Sequence, residues 1–168
     1  LAFSLNVGIK KMKGKWFKWF SPDDVMFDNT IETLVNSGEK LHNTIIYSDW
    51  DVIDEKNNLL RSFQESNYNE LSNFEYNVRL LDRQLINVNT TLIPSSLFDK
   101  CEIRKLDDPV AIDYDFFLRS ALFFEIKFNL ISEQLIKYRI HSNQLSHKNI
   151  IKTLNSVYDI KNEILQQL

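Results

Sequence analysis

The chain has 168 residues, 43% of them hydrophobic and 26% charged, the size and balance of a single globular domain. Its net charge of −3 and the lack of a dominant basic face argue against a nucleic-acid-binding module. A lone cysteine, Cys101, excludes an intrachain disulfide and suits a reducing compartment, and no run of about 18 apolar residues offers a transmembrane helix.

Residues 3–13 read as the end of a helix with Gly14 as its stop. Residues 15–20, K-W-F-K-W-F, alternate cationic and aromatic side chains in a strand-like run. Asp28 or Asn29 can cap a helix reaching about Asn36, with Ser37 and Gly38 ending it. Residues 44–48 form a short β-branched strand, and 50–53 and 59–63 form a hairpin across the polar turn 54–58. The polar stretch 64–73 is the best candidate for a mobile loop.

Residues 74–85 are helical in pattern, and 87–93 are extended up to Pro94. A short helix follows from Ser95 or Ser96 to Lys100. Asp113 opens a helix that carries Phe117, Leu118, Ala121 and Leu122 on one face. Residues 128–131 and 135–140 are two short strands. From Lys148 onward, Ile150, Leu154, Val157, Ile164 and Leu168 recur at helical spacing, so residues 148–168 form an amphipathic helix packing on a domain of residues 1–147. Strands alternating with helices predict an α/β layer fold.

Residues 13–32 carry the first chemical signal: the aromatic run stops at Ser21-Pro22-Asp23-Asp24 before a new helix. Paired carboxylates at the end of a strand offer hard oxygen ligands to Mg²⁺ or Mn²⁺. They also lie where open α/β sheets keep their ligands. The bland alternative is a turn with a helix cap, which Ser, Pro and Asp also favour. The second signal is residues 111–146, where Asp113 and Asp115 open a helix and Tyr138-Arg139-Ile140-His141 ends a strand. Asp113 suits a general base or a helix cap, with Asp115 as the fallback base, and Arg119 suits an ion pair.

These two blocks, in this order, resemble the family-2 glycosyltransferases of GT-A type. Ser4-Leu5-Asn6-Val7-Gly8-Ile9 stands for the family's A-R-N-x-G-I. Residues 14–20 stand for its G-x-hydrophobic run, and Ser21-Pro22-Asp23-Asp24 for its D-x-D-D. Residues 111–146 are similar to its E-D-Y-D-L-W-L-R…L-x-x-Y-R-x-H-x-x-x-x-S. Leu5, Ser21 and Ile112 depart from the usual Arg, Asp and Glu.

The resemblance implies a Rossmann-like sheet that binds a nucleotide-diphosphate sugar. It implies transfer of the sugar to an acceptor hydroxyl with inversion, assisted by Mg²⁺ or Mn²⁺. It assigns Asp113 as base, Asp23 and His141 as metal ligands, and Asn6, Asp24 and Arg139 to the nucleotide-sugar side. Asn89, Thr90 and Thr91 fall where the family lines its acceptor pocket. The acceptor would be a saccharide, a lipid-linked compound or a protein. The chain opens at Leu1 with no helix cap or signal peptide, so it reads as N-terminally incomplete, lacking nucleotide-binding βα units and inactive alone.

The three departures support an alternative, a non-catalytic relative that binds a glycan or a partner protein. Asp49 and Asp51, a second D-x-D, are read as charges of a hairpin edge. Lys10, Lys11, Lys13, Lys15 and Lys18 form a basic cluster. Its ordinary reading is a solvated helix end; its functional one is peripheral contact with an anionic membrane surface, suiting a lipid-linked acceptor. The expected location is cytoplasmic, including the cytoplasmic face of a membrane.

Overall fold

The computed structural model describes residues 1–65, 68–144 and 150–168. Its elements are helix α1 (Ala2–Lys11), strands β1 (Trp16–Phe17) and β2 (Val25–Met26), helix α2 (Thr30–Gly38) and strands β3 (Thr44–Ile53) and β4 (Leu59–Phe63). Helix α3 (Asn73–Asp82), strand β5 (Ile93–Pro94), helix α4 (Ile112–Phe124), strand β6 (Lys127–Arg139) and helix α5 (Ile150–Gln167) follow. Four 3₁₀ turns punctuate the connections, at Tyr68–Glu70, Val88–Thr90, Ser95–Asp99 and Pro109–Ala111.

A four-stranded mixed sheet runs in the order β2-β6-β3-β4. β3 and β6 are parallel; β2 and β4 pair antiparallel on the two edges. β1 and β5 form a separate antiparallel pair, joined to β3 by a bridge between Ile46 and Leu92. This is the expected α/β class. The two short strands predicted near residues 128 and 135 are one 13-residue strand. They looked separate because Ser132 and Glu133 fall at an irregularity, where the β3 partner changes from Ile131 to Gln134.

Three other expectations shift. Only two residues of the aromatic run pair as strand, because beyond Ile93 the partner segment leaves them: Leu92 bridges to Ile46 and Val88–Thr90 is a 3₁₀ turn. Gly14 is not the stop of α1, which ends at Lys11 with Met12 extended; no glycine here has a positive φ. The extended segment at 87–93 is mostly a 3₁₀ turn capped by Asn87, whose side chain accepts from the Asn89 amide at 3.0 Å.

The polar stretch at 64–73 is anchored where it is described; Ser66 and Asn67 lie outside the described residues. Tyr68 is buried, and the Asn69 side chain brackets Leu130 of β6, donating to its carbonyl at 2.7 Å and accepting from its amide at 2.8 Å. Ser72 and Glu75 then close a capping box on α3. On α5 the buried residues are Ile160 and Ile164, with Val157 half-buried beside them. Ile150, Leu154 and Leu168, expected on that face, are exposed. Lys148 and Asn149, the predicted start of this helix, lie outside the described residues. None of the described helices is long and apolar enough to cross a membrane.

Helix α4 is the core's centre. It is buried on all sides from Tyr114 to Ala121, rather than along one face. Phe17, Phe98, Phe116, Phe117, Phe128, Tyr76 and Tyr68 form a chain of ring contacts 5.1–6.2 Å apart that links β1 to the α3 entry through it. Burial of rings of this size contributes roughly 1.5–3 kcal/mol each.

α4 also carries Asp115, fully buried between two arginines. Arg119 reaches its Oδ2 at 2.7 Å, and Arg104 bonds its other oxygen while also pairing with Glu163 of α5. Arg119 further donates to the Glu102 carbonyl at 2.8 Å and to the Cys101 sulfur at 3.1 Å. Removing the carboxylate leaves buried Arg119 without a counter-charge and Arg104 with Glu163 alone. Asp115→Ala should therefore lower the unfolding free energy by about 3–5 kcal/mol in urea titration, whereas a loss below about 1 kcal/mol would show that the network contributes little.

Candidate functional site

The turn that follows the aromatic run is docked by the end of β6. The Arg139 amide donates to Asp24 Oδ1 at 2.8 Å, its Nε to the Asp23 carbonyl at 2.9 Å, and its two terminal nitrogens to the Asp54 carbonyl and Asn57 Oδ1 at 2.9 and 2.7 Å. Asn57 accepts this role in a left-handed conformation, φ 68°, that Asn tolerates. Arg139 was expected to face a diphosphate; its guanidinium instead clamps the Asp23 turn to the β3–β4 hairpin. It positions the site.

Asp23 and Asp24 diverge. The Asp23 side chain is 54% exposed, and its Oδ2 lies 3.6 Å from His141 Nε2, an ion pair when the imidazole is protonated. Asp24 is only 8% exposed, and its second oxygen is buried with no hydrogen-bond partner among the described residues. Burial pushes its carboxyl up to about 6, with the Arg139 amide opposing. Asp23 and His141 thus offer an oxygen and a nitrogen to a cation, a partial shell that fits if a ligand's own oxygens complete it. Among the described residues, no three His, Cys, Asp or Glu side chains are grouped to hold a metal unaided. His141 also faces an open depression of about 480 Å³ shared with Lys56 and Asn58.

Asn89 joins this turn to a second space. Its Oδ1 accepts from the Ser21 amide at 2.7 Å, and its carbonyl accepts from Lys18, which also donates to the Thr91 carbonyl at 3.0 Å. Lys18 is the one member of the basic cluster that turns inward. Burial lowers its ammonium to about 7, and nearby Asp24 opposes that fall. The alternation of lysine with aromatics held that signal, but it reads equally as a solvated edge.

The second space is a cavity of about 460 Å³ that contains both Asn89 and Asp113. Asp113 is the second residue of α4. Its Oδ1 accepts from the Tyr114 amide at 2.8 Å and its Oδ2 from Gln84 Nε2 at 3.2 Å. Burial pushes its carboxyl up to about 6, against those two hydrogen bonds. Tyr138, next to Arg139 on β6, lines the same cavity. The second of the two spaces is therefore one residue away along β6 from the clamp of the first.

Other candidates are placed differently. Thr90 and Thr91 are fully buried, and their hydroxyls donate to the Asn87 and Val88 carbonyls at 2.8 and 2.7 Å, so of that trio only Asn89 lines the cavity. The Asn6 amide donates to the Ile103 carbonyl at 2.7 Å, which ties α1 to the segment before α4. Asp115, the fallback base, is sealed between its arginines. Asp51 accepts from Ser62 across the hairpin at 2.6 Å, as an edge charge should, but Asp49 is buried and accepts from the Glu65 amide at 2.9 Å. Gln84 and Trp50 were not singled out in the sequence, and Tyr138 was named there without a role, since nothing local marks a residue that joins the Asp113 cavity only through the fold.

No family model matches the chain. It is 37% identical over 147 residues, 86% of its length, to a protein of Rickettsia felis described as an uncharacterized glycosyltransferase. It is 34% identical over 171 residues, 98% of its length, to another so described in Rickettsia prowazekii, and 27% identical over 163 residues to one in Methanocaldococcus jannaschii. The chain spans 24% of the first of these relatives and 52–53% of the other two.

The half-satisfied Asp24 carboxylate yields a prediction with a defined sign. Its folded value, about 6, lies above the ordinary 3.8. The folded state therefore holds a proton that the unfolded state has lost, and stability falls as pH rises between about 4 and 6. Asp24→Asn should leave stability at pH 4 nearly unchanged and raise it at pH 8 by at most about 3 kcal/mol. Equal effects at both pH values would remove burial as the cause. The chain is similar, over nearly its whole length, to a part of proteins described as glycosyltransferases.

Proposed function

We propose that this chain forms the catalytic part of a family-2, GT-A-type glycosyltransferase, which moves a sugar from a nucleotide-diphosphate donor to an acceptor hydroxyl with inversion. The observation that carries it is the joining of two chemically distinct spaces by Asn89. One side has the Asp23–His141 edge, and the other has Asp113 in a cavity.

Asp113, ionised, takes the proton of the acceptor hydroxyl as that oxygen bonds to the anomeric carbon. The bond from that carbon to the diphosphate oxygen breaks on the opposite face, and the nucleoside diphosphate leaves with the electron pair. Gln84 holds one oxygen of the base and the Tyr114 amide the other, which fixes the direction of the carboxylate. The apolar walls keep water, the competing acceptor, from the reacting oxygen. Asp23 and His141 would hold Mg²⁺ or Mn²⁺ together with diphosphate oxygens, and a cation there neutralises charge on the leaving group. Arg139, through the Asp23 carbonyl and the Asp24 carboxylate, sets where that edge lies.

The test is sugar transfer by the full-length protein with a panel of nucleotide sugars and Mn²⁺. Asp113→Asn should reduce kcat by about a hundredfold or more without raising the KM for the donor to match. A rate within twofold of the parent would remove the base. The pH dependence follows from the raised carboxyl: the base works only when ionised, so kcat should climb with pH and level off above an apparent pKa of about 6. A flat profile between pH 5 and 8 would contradict that assignment.

A further inference from the structure

The cavity around Asp113 is more apolar than proton transfer requires. Its floor is one face of the sheet, where Trp50 and Val52 of β3 lie beside Phe63 of β4. The Trp50 and Phe63 rings stack with centroids 4.8 Å apart and planes 13° apart, and the Arg61 guanidinium lies over Phe63 at 4.6 Å. Stacked rings braced by a cation make a stiff apolar stretch of the lining. Val88 and Val110 close two sides.

The terminal helix adds to the lining. α5 contributes Val157, which continues the stripe of Ile160 and Ile164, and also Thr153, one turn before it. The Thr153 hydroxyl is buried and has no hydrogen-bond partner among the described residues. Packing alone does not call for a hydroxyl on this stripe, because a buried polar group without a partner is unfavourable. Asp113 with its partner Gln84, and Asn89, add polar groups to the lining.

We infer that the acceptor bound here carries its reactive hydroxyl beside an apolar, ring-sized body, and that Thr153 on the terminal helix hydrogen-bonds it. The inference rests on the reading of Asp113 as the base end of the acceptor site. A fully hydroxylated sugar would lose water from hydroxyls pressed on Trp50, Val110 and Val157 without regaining partners. A body with an apolar face suffers no such loss. That face comes either from a deoxy sugar ring or from an aryl or alkyl group attached to a sugar.

Calorimetric titration of the full-length protein with glucose, L-rhamnose and phenyl β-D-glucoside tests this. Rhamnose or the phenyl glucoside should bind at least tenfold more tightly than glucose. Preference for rhamnose assigns the deoxy ring, and preference for the phenyl glucoside assigns the attached group. Equal affinity for all three, or no binding, overturns the inference. Val157→Trp, which fills the cavity, should weaken the preferred probe at least tenfold. Phe63→Ala on the edge strand serves instead if that variant does not fold. Thr153→Val should weaken the probe about two- to tenfold, the effect of one hydrogen bond. An unchanged preference in Val157→Trp or Phe63→Ala places the binding elsewhere and overturns the inference. Absence of any preference in the parent protein, while Asp113→Asn still abolishes transfer, disproves the apolar pocket alone. A preference that persists while Asp113→Asn transfers normally disproves the acceptor role of the cavity.

Discussion

Where β3 and β6 run side by side, from Thr44 opposite Lys127 to Ile53 opposite Arg139, the molecule sets both of its sites at once. The last partners in this parallel ladder are Val52 with Tyr138 and Ile53 with Arg139. Tyr138 and Val52 line the cavity, while Arg139 clamps the Asp23 turn and the hairpin. Strand alternation sends neighbouring side chains to opposite faces, so two consecutive residues serve two spaces. A slip of one residue in register would exchange them and dismantle both. The bracket that Asn69 places on Leu130, and the buried bond from Thr30 to the Leu135 carbonyl at 2.6 Å, help hold β6 against such a slip.

Burial disfavours the charged form of three groups near the two spaces. Burial raises the Asp24 and Asp113 carboxyls and lowers the Lys18 ammonium. Asp115, equally buried, is different in kind: two arginines compensate it, and it sits in the core between α4 and α5. The contrast separates a structural carboxylate from the proposed base on one helix. Asp115 is fully partnered and sealed, whereas Asp113, two residues earlier, meets only neutral donors and opens on a cavity. Groups left uncompensated in clefts are what catalytic sites keep, at some loss of stability.

Much of this was legible in the sequence. The hairpin turn, the helix after Asn29 and the Asp113 helix come from local signals that tertiary contacts do not override, turn chemistry and helical spacing, but the expected caps do not form: the Asn29 side chain donates to Glu133, and Asp113 lies one residue inside a helix that starts at Ile112. The Ser21–Asp24 and Asp113 blocks were visible because both are contiguous strings. What failed was non-local. The stripe on α5 was misplaced because its apolar residues form more than one row, and only contact with α4 decides which row is buried. Thr90 and Thr91 read as extended because β-branched residues favour strands, yet their hydroxyls return to the preceding carbonyls and fold a tight turn. Lys18 read as solvated because no sequence rule shows which lysine meets two carbonyls on another segment.

Asn89 has a consequence for how such a protein can diversify. Its side chain holds the Ser21 turn, its carbonyl holds Lys18, and the residue itself stands in the cavity wall. Any replacement there disturbs both spaces together. The opposite walls carry no such double duty: Phe63 lies on an edge strand, and Thr153 and Val157 lie on a terminal helix. Drift at those positions can reshape what the cavity admits while the Asp23 edge stays as it is. On the proposed reading, the architecture divides the chain into a frozen hinge and a replaceable rim, and new acceptor preferences should arise from the rim.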